Sequence, residues 1–576
     1  MNQVFFPYGI SNFETLVKDN YVFVDKTIFI EKLEQHKERN VSFLRPRRFG
    51  KSLWLSILEY YYDINQAHKF DQLFGNYYIG KNPTPLHNAY RILRFDFSGI
   101  DTSTKEKAKK GFAFSVLNAV REFADKYKLF THEQRQFIYH QADAEEIINA
   151  FFRTYASNGY SEKIYLLFDE YDHFTNDILY RSWNEFVESV SKQGYIRKFY
   201  EVIKSATQQG VVDRLFITGV SSLTLDALTS GFNILTDLTH SLEFETMLGF
   251  TEKEVQQLVE LTTKDKTLQA KILQEMKEWY NGYRFCETSH QTLYNSDMVL
   301  YYLKAFQETH TAPRRLLDPN IAPDYGKLKQ MFEVVNLQKN QEVLEKVLQN
   351  GYIDAELIPI FNFEKGFTQA DFINFLAYLG NLTIGGVDEI TGRVHFKIPN
   401  KVIEELYWQY YADILNQIPE LQSQSEAIDQ AVIKMAKEGI YEDFFVLLEK
   451  VLQTLSNRDF SKFNEKYVKV VMVAYLVLSS IFDVRSEVEL FGGGYPDVML
   501  MRRPQRQREH HEYVIELKYL KKEEESRLDE VREEAKRQLL RYYQQDEVLR
   551  CKPYLHLLAV VCVKDVLYVE EVKVPA

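Results

Sequence analysis

Two groups of residues in the chain have the types and spacing for phosphate chemistry. The first is Arg45-Pro46-Arg47-Arg48-Phe49-Gly50-Lys51-Ser52, which follows the apolar run Val41–Leu44 and precedes the helical stretch LWLSILEYYYD. Backbone N–H groups curled before a helix N-terminus cradle phosphates, a lysine reaches the β/γ oxygens and a hydroxyl takes Mg²⁺. Gly50, Lys51 and Ser52 meet the second half of the G-x4-G-K-[ST] pattern, whereas Arg45 stands where the first glycine is usual. Further on, the strand-like run Ile164–Glu170 ends in Asp169-Glu170, an order that sets one carboxylate on Mg²⁺ and the next beside an attacking water. The run Arg214–Val220 carries Thr218 near its end, a polar group able to sense a γ-phosphate from the neighbouring strand. Each signal has a plain alternative: a basic strand-to-helix turn, an acidic turn, a threonine satisfied within a sheet. Their order along one chain favours an NTP-binding domain.

The second group lies near the C-terminus. Pro496-Asp497 is followed after 18 residues by Glu516-Leu517-Lys518, with Val498–Met501 and Tyr513–Leu517 strand-like. Two antiparallel strands bring Asp497 and Glu516 to one end of a sheet, where two carboxylates can hold Mg²⁺ or Mn²⁺ against a scissile phosphate. Lys518, two residues beyond Glu516, projects from the same face and can orient water or stabilise a pentavalent phosphorus. Glu487 is a candidate additional metal ligand, Glu465 a candidate acid on the preceding helix, and Gln538 with Tyr542 a Q-x3-Y pair on the following one. Arg502–Arg508, with His510 and His511, reads either as a solvated hairpin loop or as a phosphate-tracking finger. No zinc site is expected at the two histidines, because no other ligand stands at a suitable spacing.

Elements must position these residues. VSFL, RILRFDF, IYLLFDE and RLFITGV have strand length, and their long separations suit crossover helices in a parallel sheet. After Phe250 the pattern turns helical, with Thr251 and Glu254 spaced as a capping box. Arg314–Lys327, with Pro319 and Pro323, reads as a linker, and Gly366–Leu415 as helix, hairpin and helix in an order compatible with a winged helix. A helical run over Ser423–Leu455 precedes the last α/β segment. Lys521–Arg541 is a charge run with helical spacing, read as a solvated face with i,i+4 pairs.

The length of 576 residues calls for several domains, and 45% hydrophobic with 26% charged residues excludes a disordered or fibrous chain. A net charge of −12 argues against a surface basic all over, while leaving room for a local basic groove. Three separated cysteines, Cys286, Cys551 and Cys562, form no disulfide framework and fit a reducing, cytoplasmic setting. Met1–Gly9 does not read as a signal peptide, and the apolar stretch Val470–Ile481 is too short for a bilayer span and reads as a buried helix.

YVFVDKT, FLRPRRFGKS, LLFDEYD, FITGVSSLTLDALTSGFN and WYNGYRF together resemble the AAA-ATPase-like domain of a prokaryotic family whose members typically end in a PD-(D/E)XK nuclease-like domain. R-P-R-R-F-G-K-S is that family's form of the loop. The C-terminal order of Glu465, Glu487, Asp497, Glu516, Lys518, Gln538 and Tyr542 resembles the PD-(D/E)XK fold, with the Q-x3-Y pair similar to its RecB-type branch. The resemblance implies that Lys51 and Ser52 bind phosphate and Mg²⁺, that Asp169 holds Mg²⁺, that Glu170 polarises water, and that Asp25 and Lys26 lie near the nucleotide. The expected fold is α/β and multidomain: a P-loop (ASCE/AAA-like) parallel sheet over 1–250, a helical lid over 251–320, a helical and winged-helix-like connection over 321–456, and a restriction-endonuclease-like domain over 457–576. The expected nucleotide set is Arg45 to Ser52 with Asp169 and Thr218, with Glu170 catalytic. Expected metal ligands are Ser52 and Asp169 in one site and Glu487, Asp497 and Glu516 in the other. The expected cofactors are ATP and Mg²⁺, with Mn²⁺ an alternative in the nuclease site. The expected partner is nucleic acid, DNA in the first place; a homo-oligomer stays open and no membrane partner is expected. Two rival readings remain: a nucleotide-dependent switch or scaffold whose nuclease fold only binds DNA or protein, and a protein that holds nucleotide without hydrolysing it.

Overall fold

The β-branched and aromatic runs of the sequence pair into three sheets in the computed structural model, which describes residues 4–228, 231–358, 360–361, 366–422, 424–458, 463–479, 481–490, 493–503 and 510–573. The first sheet contains β1 (Asn40–Leu44), β2 (Tyr90–Asp96), β3 (Lys163–Asp169), β4 (Val212–Gly219) and β5 (Thr236–Asp237) in the order β2-β3-β4-β1-β5. Every pairing is parallel. The continuous apolar runs follow from that: β3 is buried at every position after Lys163, as a parallel strand covered on both faces requires. Helices cross over between β1 and β2 (Lys51–Tyr62), between β2 and β3 (Lys105–Lys126, His132–Tyr139, Ala144–Ser157) and between β3 and β4 (His173–Arg181, Trp183–Val190, Tyr195–Gln208). The carboxyl ends of β1 and β3 thus flank that of β4, where an open α/β sheet binds ligands.

The chain folds into two compact units, Met1–Val343 with Tyr352–Val402, and Leu344–Gly351 with Ile403–Ala576. The division falls inside the stretch expected as a connection. In the first unit, helices Glu252–Thr262, Lys266–Tyr280 and Ser296–Thr309 follow the sheet, the first of them closed by the Thr251–Glu254 capping box. The expected linker at Arg314–Lys327 is instead structured: a short 3₁₀ turn at Pro319–Ile321 leads into a helix at Ala322–Phe332. Its Asp318 is buried and accepts from Tyr8 Oη at 2.6 Å. Prolines are tolerated there because they stand in the turn and in the first turn of the helix, where no N–H is needed.

The helix–hairpin–helix order holds, with Gln369–Tyr378, β7 (Thr383–Val387), β8 (Val394–Lys397) and Lys401–Asn416, and with β6 (Tyr352–Ala355) added at the sheet edge in the order β6-β8-β7. Asp371–Leu376 of the first helix are all buried. Tyr378 Oη meets His240 Nε2 at 3.2 Å, Arg284 N donates to Thr383 Oγ1 at 2.8 Å, and Phe361 N donates to Asp226 Oδ2 at 3.1 Å. Gly282, in the WYNGY segment, has φ +102°, and a Cβ there would lie 1.9 Å from the Pro399 carbonyl oxygen. Only glycine allows that approach.

In the second unit, β9 (Phe482–Ser486), β10 (Val498–Arg502), β11 (Glu512–Leu520), β12 (Leu555–Val563) and β13 (Val566–Glu571) form a mixed sheet in the order β13-β12-β11-β10-β9. Only β11 and β12 run parallel, and the helix Leu528–Gln545 between them is their crossover. Its Ala535, Leu539 and Tyr542 pack on Met499, Val514 and Ala559. The apolar run near Val470 is a buried helix, Glu465–Leu478. On the charged helix the ion pairs run i,i+3 rather than i,i+4, as in Arg532–Asp529 and Lys536–Glu533, and both cations also reach Glu570 of β13. Among the described residues no helix is long and apolar enough to cross a membrane.

Candidate functional sites

The loop after β1 ends at Gly50, which has φ +91° and caps the helix Lys51–Tyr62. Lys51 is buried; its Nζ donates to the carbonyls of Arg45 and Pro46, each at 3.1 Å, and lies 3.7 Å from a Glu170 oxygen. Gly50, Lys51, Ser52 and Glu170 line a cavity of ≈ 280 Å³, together with the polar Lys26, Arg48 and Asp297. Apolar side chains line it as well, from the N-terminal segment (Pro7, Ile10, Val22), the loop helix (Trp54), Leu248 and the helix Glu252–Thr262 (Leu258). A cavity lined both by the polar residues of the loop and by apolar side chains suits a nucleotide. Lys26 lines the same cavity and is held by Glu254 at 2.6 Å, whereas Asp25 accepts from the Thr27 N–H at 2.9 Å and from the Tyr78 N–H at 2.7 Å.

Asp169 and Glu170 leave the end of β3 in different states. Asp169 is buried; one oxygen accepts from Arg94 at 2.8 Å and Oδ1 has no hydrogen-bond partner. Burial raises its pKa, against the pull of Arg94, with the charge of Glu170 adding to the rise. Glu170 has φ +48°; burial works to raise its pKa, but Lys51, Arg47 and His173 together hold it below the ordinary value. An ionised Glu170 on the cavity wall beside a half-satisfied buried Asp169 fits a Mg²⁺ ligand next to a base for water.

Four side chains of the loop also have partners away from the cavity, although Arg48 and Phe49 line it. Arg45 is fully buried, its guanidinium lying 4.1 Å from the Phe43 ring centre and 4.2 Å from that of Phe285, and it donates to the carbonyls of Leu44, Thr239 and Glu245. It braces the loop from behind. Phe49 is a core residue packed edge-on against Tyr283 and Phe285. Arg48 lines the cavity, yet its guanidinium is 3.2 Å from Asp318 and 3.8 Å from Asp297. Pro46 turns to Gly380, where a Cβ would stand 2.8 Å from the proline ring. Thr218 is likewise committed: it is buried and its hydroxyl donates to the Phe43 carbonyl at 2.8 Å, which ties β4 to β1.

In the second unit the register Val498↔Ile515 sets Asp497 across from Glu516. Asp497 Oδ2 accepts from the Leu517 N–H at 2.8 Å, Glu516 Oε1 accepts from Lys518 Nζ at 2.8 Å, and Glu516 Oε2 is buried with no hydrogen-bond partner. Burial, reinforced by Asp497, pushes the Glu516 carboxyl up to about 7. Asp497 is raised by burial in spite of the Leu517 N–H, Lys518 and Lys469. Glu465, on the first turn of its helix, is raised by burial and lies within the fields of Lys518 and Asp497. Asp497, Glu516, Lys518 and Glu465 are therefore one electrostatic cluster. A buried carboxylate with an unpaired oxygen beside a half-buried one fits a divalent cation. Among the described residues no three His, Cys, Asp or Glu side chains are grouped tightly enough to hold an ion together.

Glu487, the expected extra ligand, is half exposed, has φ +52° and pairs with the buried Lys469 of the helix. Tyr542 acts through the backbone: its ring lies where a Gly494 Cβ would come within 2.6 Å, and Gly494 has φ +106°, so the glycine lets the Gly494–Asp497 turn settle on the ring. Gln538 Oε1 is buried without a partner. In the arginine-rich loop, Pro504–Glu509 lie outside the described residues. Arg503 donates to Glu405 at 2.9 Å and to the Phe482 carbonyl at 3.0 Å, an anchoring role rather than a phosphate-tracking one. His511 and His556 meet at 2.7 Å, and His556 bonds Glu571 at 2.7 Å. Sequence reasoning missed Arg94 and Lys469. Both had the same kind of signal, a cation set among apolar residues: Arg94 between Leu93 and Phe95, and Lys469 within the buried run Tyr467–Val477.

Residues 7–229 match the model of a predicted AAA-ATPase family, AAA-ATPase-like, and residues 463–572 that of the PD-(D/E)XK nuclease superfamily. The class is thereby defined: an α/β protein that joins an AAA-ATPase-like domain to a PD-(D/E)XK nuclease-superfamily domain. More particularly, the chain is 26% identical over 419 residues to an uncharacterized protein in the vnfD 5' region of Azotobacter chroococcum mcd 1, covering 72% of this chain and 70% of that one. Among solved structures, the Walker-type ATPase PABY2304 of Pyrococcus abyssi is similar with a TM-score of 0.38 at 11% identity, covering 67% of this chain and 96% of that one.

Proposed function

We propose that this protein binds and hydrolyses ATP in its first unit and cleaves nucleic-acid phosphodiester bonds with a divalent metal in its second. The observation that carries the first half is the ≈ 280 Å³ cavity lined by Gly50, Lys51, Ser52 and Glu170. Lys51 and the N–H groups at the helix start hold the β- and γ-phosphates, Ser52 and Asp169 hold Mg²⁺, and Glu170 takes a proton from water. Mg²⁺, when bound, neutralises charge that develops on the phosphates. Arg45, Phe49 and Thr218 act as scaffold in this reading.

The second half rests on the Asp497–Glu516–Lys518 cluster. Asp497 and Glu516 hold Mg²⁺ or Mn²⁺, Lys518 orients the attacking water and Glu465 borders the site. The metal supplies Lewis acidity toward the scissile phosphate. Lys469 takes Glu487 out of the ligand set. The burial of Asp371–Leu376 supports reading the helix Gln369–Tyr378 as a structural part of the first unit rather than as a groove reader. DNA is the proposed substrate, and ATP is proposed to gate the nuclease, since both activities share a chain.

Cleavage of linear and circular DNA by wild type, D497A and K51A, with Mg²⁺ or Mn²⁺ and with or without ATP, tests the whole reading. Metal-dependent cutting lost in D497A, with an ATP response lost in K51A, is the expected result. Equal cutting by K51A and wild type at all ATP concentrations refutes gating. Absence of cutting under every condition replaces the nuclease by a scaffold.

A further inference from the structure

Arg94 stands in β2 between the buried Leu93 and Phe95, and its partners account for a cation there. Its Nη2 donates to Asp169 Oδ2 at 2.8 Å, and its Nη1 lies 3.5 Å from Glu59 of the loop helix. Glu59 in turn is 2.9 Å from Lys126, which also holds the fully buried Asp63 at 2.7 Å. The chain Lys126–Glu59–Arg94–Asp169 therefore ties the helix Lys105–Lys126 and the loop helix to the end of β3. Arg94 side-chain exposure is 31%, against 3% for Asp169.

The geometry at Asp169 is asymmetric. Oδ2 is occupied by Arg94, while Oδ1, equally buried, has no partner. A carboxylate with one oxygen fixed and the other open is the arrangement that a metal ligand needs, because an oriented ligand loses less freedom on binding the ion. The strand register reinforces it: Asp96 lies beside Asp169, and Glu170 follows it, so three carboxylates meet where Arg94 is the cation bonded to Asp169. Ser52 also bonds the Asp169 carboxylate, and Arg94 is the charged partner that holds it beside its two acidic neighbours.

We propose that Arg94 is the positioning residue of the nucleotide site: it fixes the Asp169 rotamer so that Oδ1 faces Mg²⁺, and Glu59 fixes Arg94. The inference rests on the ATP·Mg²⁺ reading given above and adds to it a residue that touches neither nucleotide nor metal. Partners of a metal ligand are worth 10–100-fold in metal affinity.

The test is calorimetric binding of ATP to the full-length protein in EDTA and in Mg²⁺, for wild type, R94Q, R94K, D169N and the R94Q/D169N pair. The ratio of the two dissociation constants reads the metal's contribution without any turnover. R94Q is expected to reduce that ratio by about 10–100-fold while leaving the EDTA value unchanged. R94K should restore part of it, and R94Q should cost nothing further in D169N. An unchanged EDTA affinity also shows that the variant is folded. A wild-type ratio in R94Q, or an additive loss in the double variant, overturns the role of Arg94 and leaves the nucleotide site standing. Failure of wild type to bind ATP in either buffer overturns the nucleotide site, and Arg94's role with it.

Discussion

Restoring the glycine that the phosphate-loop pattern lacks should damage this protein. In R45G the loop would read Gly-x4-Gly-Lys-Ser, which by pattern alone promises a better nucleotide site. The structure argues the reverse, because Arg45 fills a buried slot between Phe43 and Phe285 and donates to Leu44 at 2.8 Å, Thr239 at 2.8 Å and Glu245 at 3.2 Å. A buried carbonyl left unpaired costs about 1–3 kcal/mol. The lost cation–π contact adds about 2 kcal/mol for a desolvated cation. Relief of the buried charge offsets part of this, for burial pulls the Arg45 pKa down even with Asp237 and Glu245 nearby. A net loss of about 4 kcal/mol is expected, at the upper end of single-substitution effects. Thermal unfolding of the full chain should show the first transition lowered by roughly 5–10 °C, and ATP affinity should fall because the Arg45 and Pro46 carbonyls that hold Lys51 lose their brace. An R45G protein as stable as wild type, with equal or tighter ATP binding, would refute the bracing role.

K51A should lower ATP affinity at least 100-fold by calorimetry, since Lys51 is a buried cation of the loop that lines the cavity. E170Q should leave ATP binding intact and stop phosphate release, a separation that single-turnover kinetics reads directly. K518A should reduce the cleavage rate in Mg²⁺ while metal affinity, followed by Mn²⁺ titration, stays within a few-fold. Glu516 carries a pH signature: its carboxyl is raised from 4.5 to about 7 by burial, so the folded state binds more protons than the unfolded between those values. In EDTA the second unit should therefore lose stability as pH rises from about 4.5 to about 7, by at most about 3 kcal/mol. E516Q should flatten that slope, and a slope unchanged in E516Q would exclude Glu516 as its source.

Much of the fold was legible because burial on both faces of a parallel sheet forces continuous apolar runs, and β1 to β4 carry them. The capping box at Thr251 and the buried helix near Val470 were legible for equally local reasons. Asp497, Glu516 and Lys518 could be aligned in advance because a strand's period of two and a hairpin fix which residues share a face. The helix at Ala322–Phe332 was hidden by Pro319 and Pro323, which mark linkers by composition but here occupy a turn and the start of a helix.

By itself the sequence determined the identity and order of the chemical groups: Gly50-Lys51-Ser52 before a helix, Asp169-Glu170 after a strand, and Asp497, Glu516 and Lys518 across a pair. It did so because those signals lie within one element or one turn, where spacing sets geometry. Only the tertiary structure decided which way equivalent side chains turn. Of the arginines in the loop, Arg45 faces the core and Arg48 faces Asp318. Thr218 bonds β1, Arg94 takes one oxygen of Asp169, and Lys469 takes Glu487. Each of these choices is a contact between groups distant in the chain, decided by which buried donor or acceptor would otherwise go unpaired, and no local spacing encodes that.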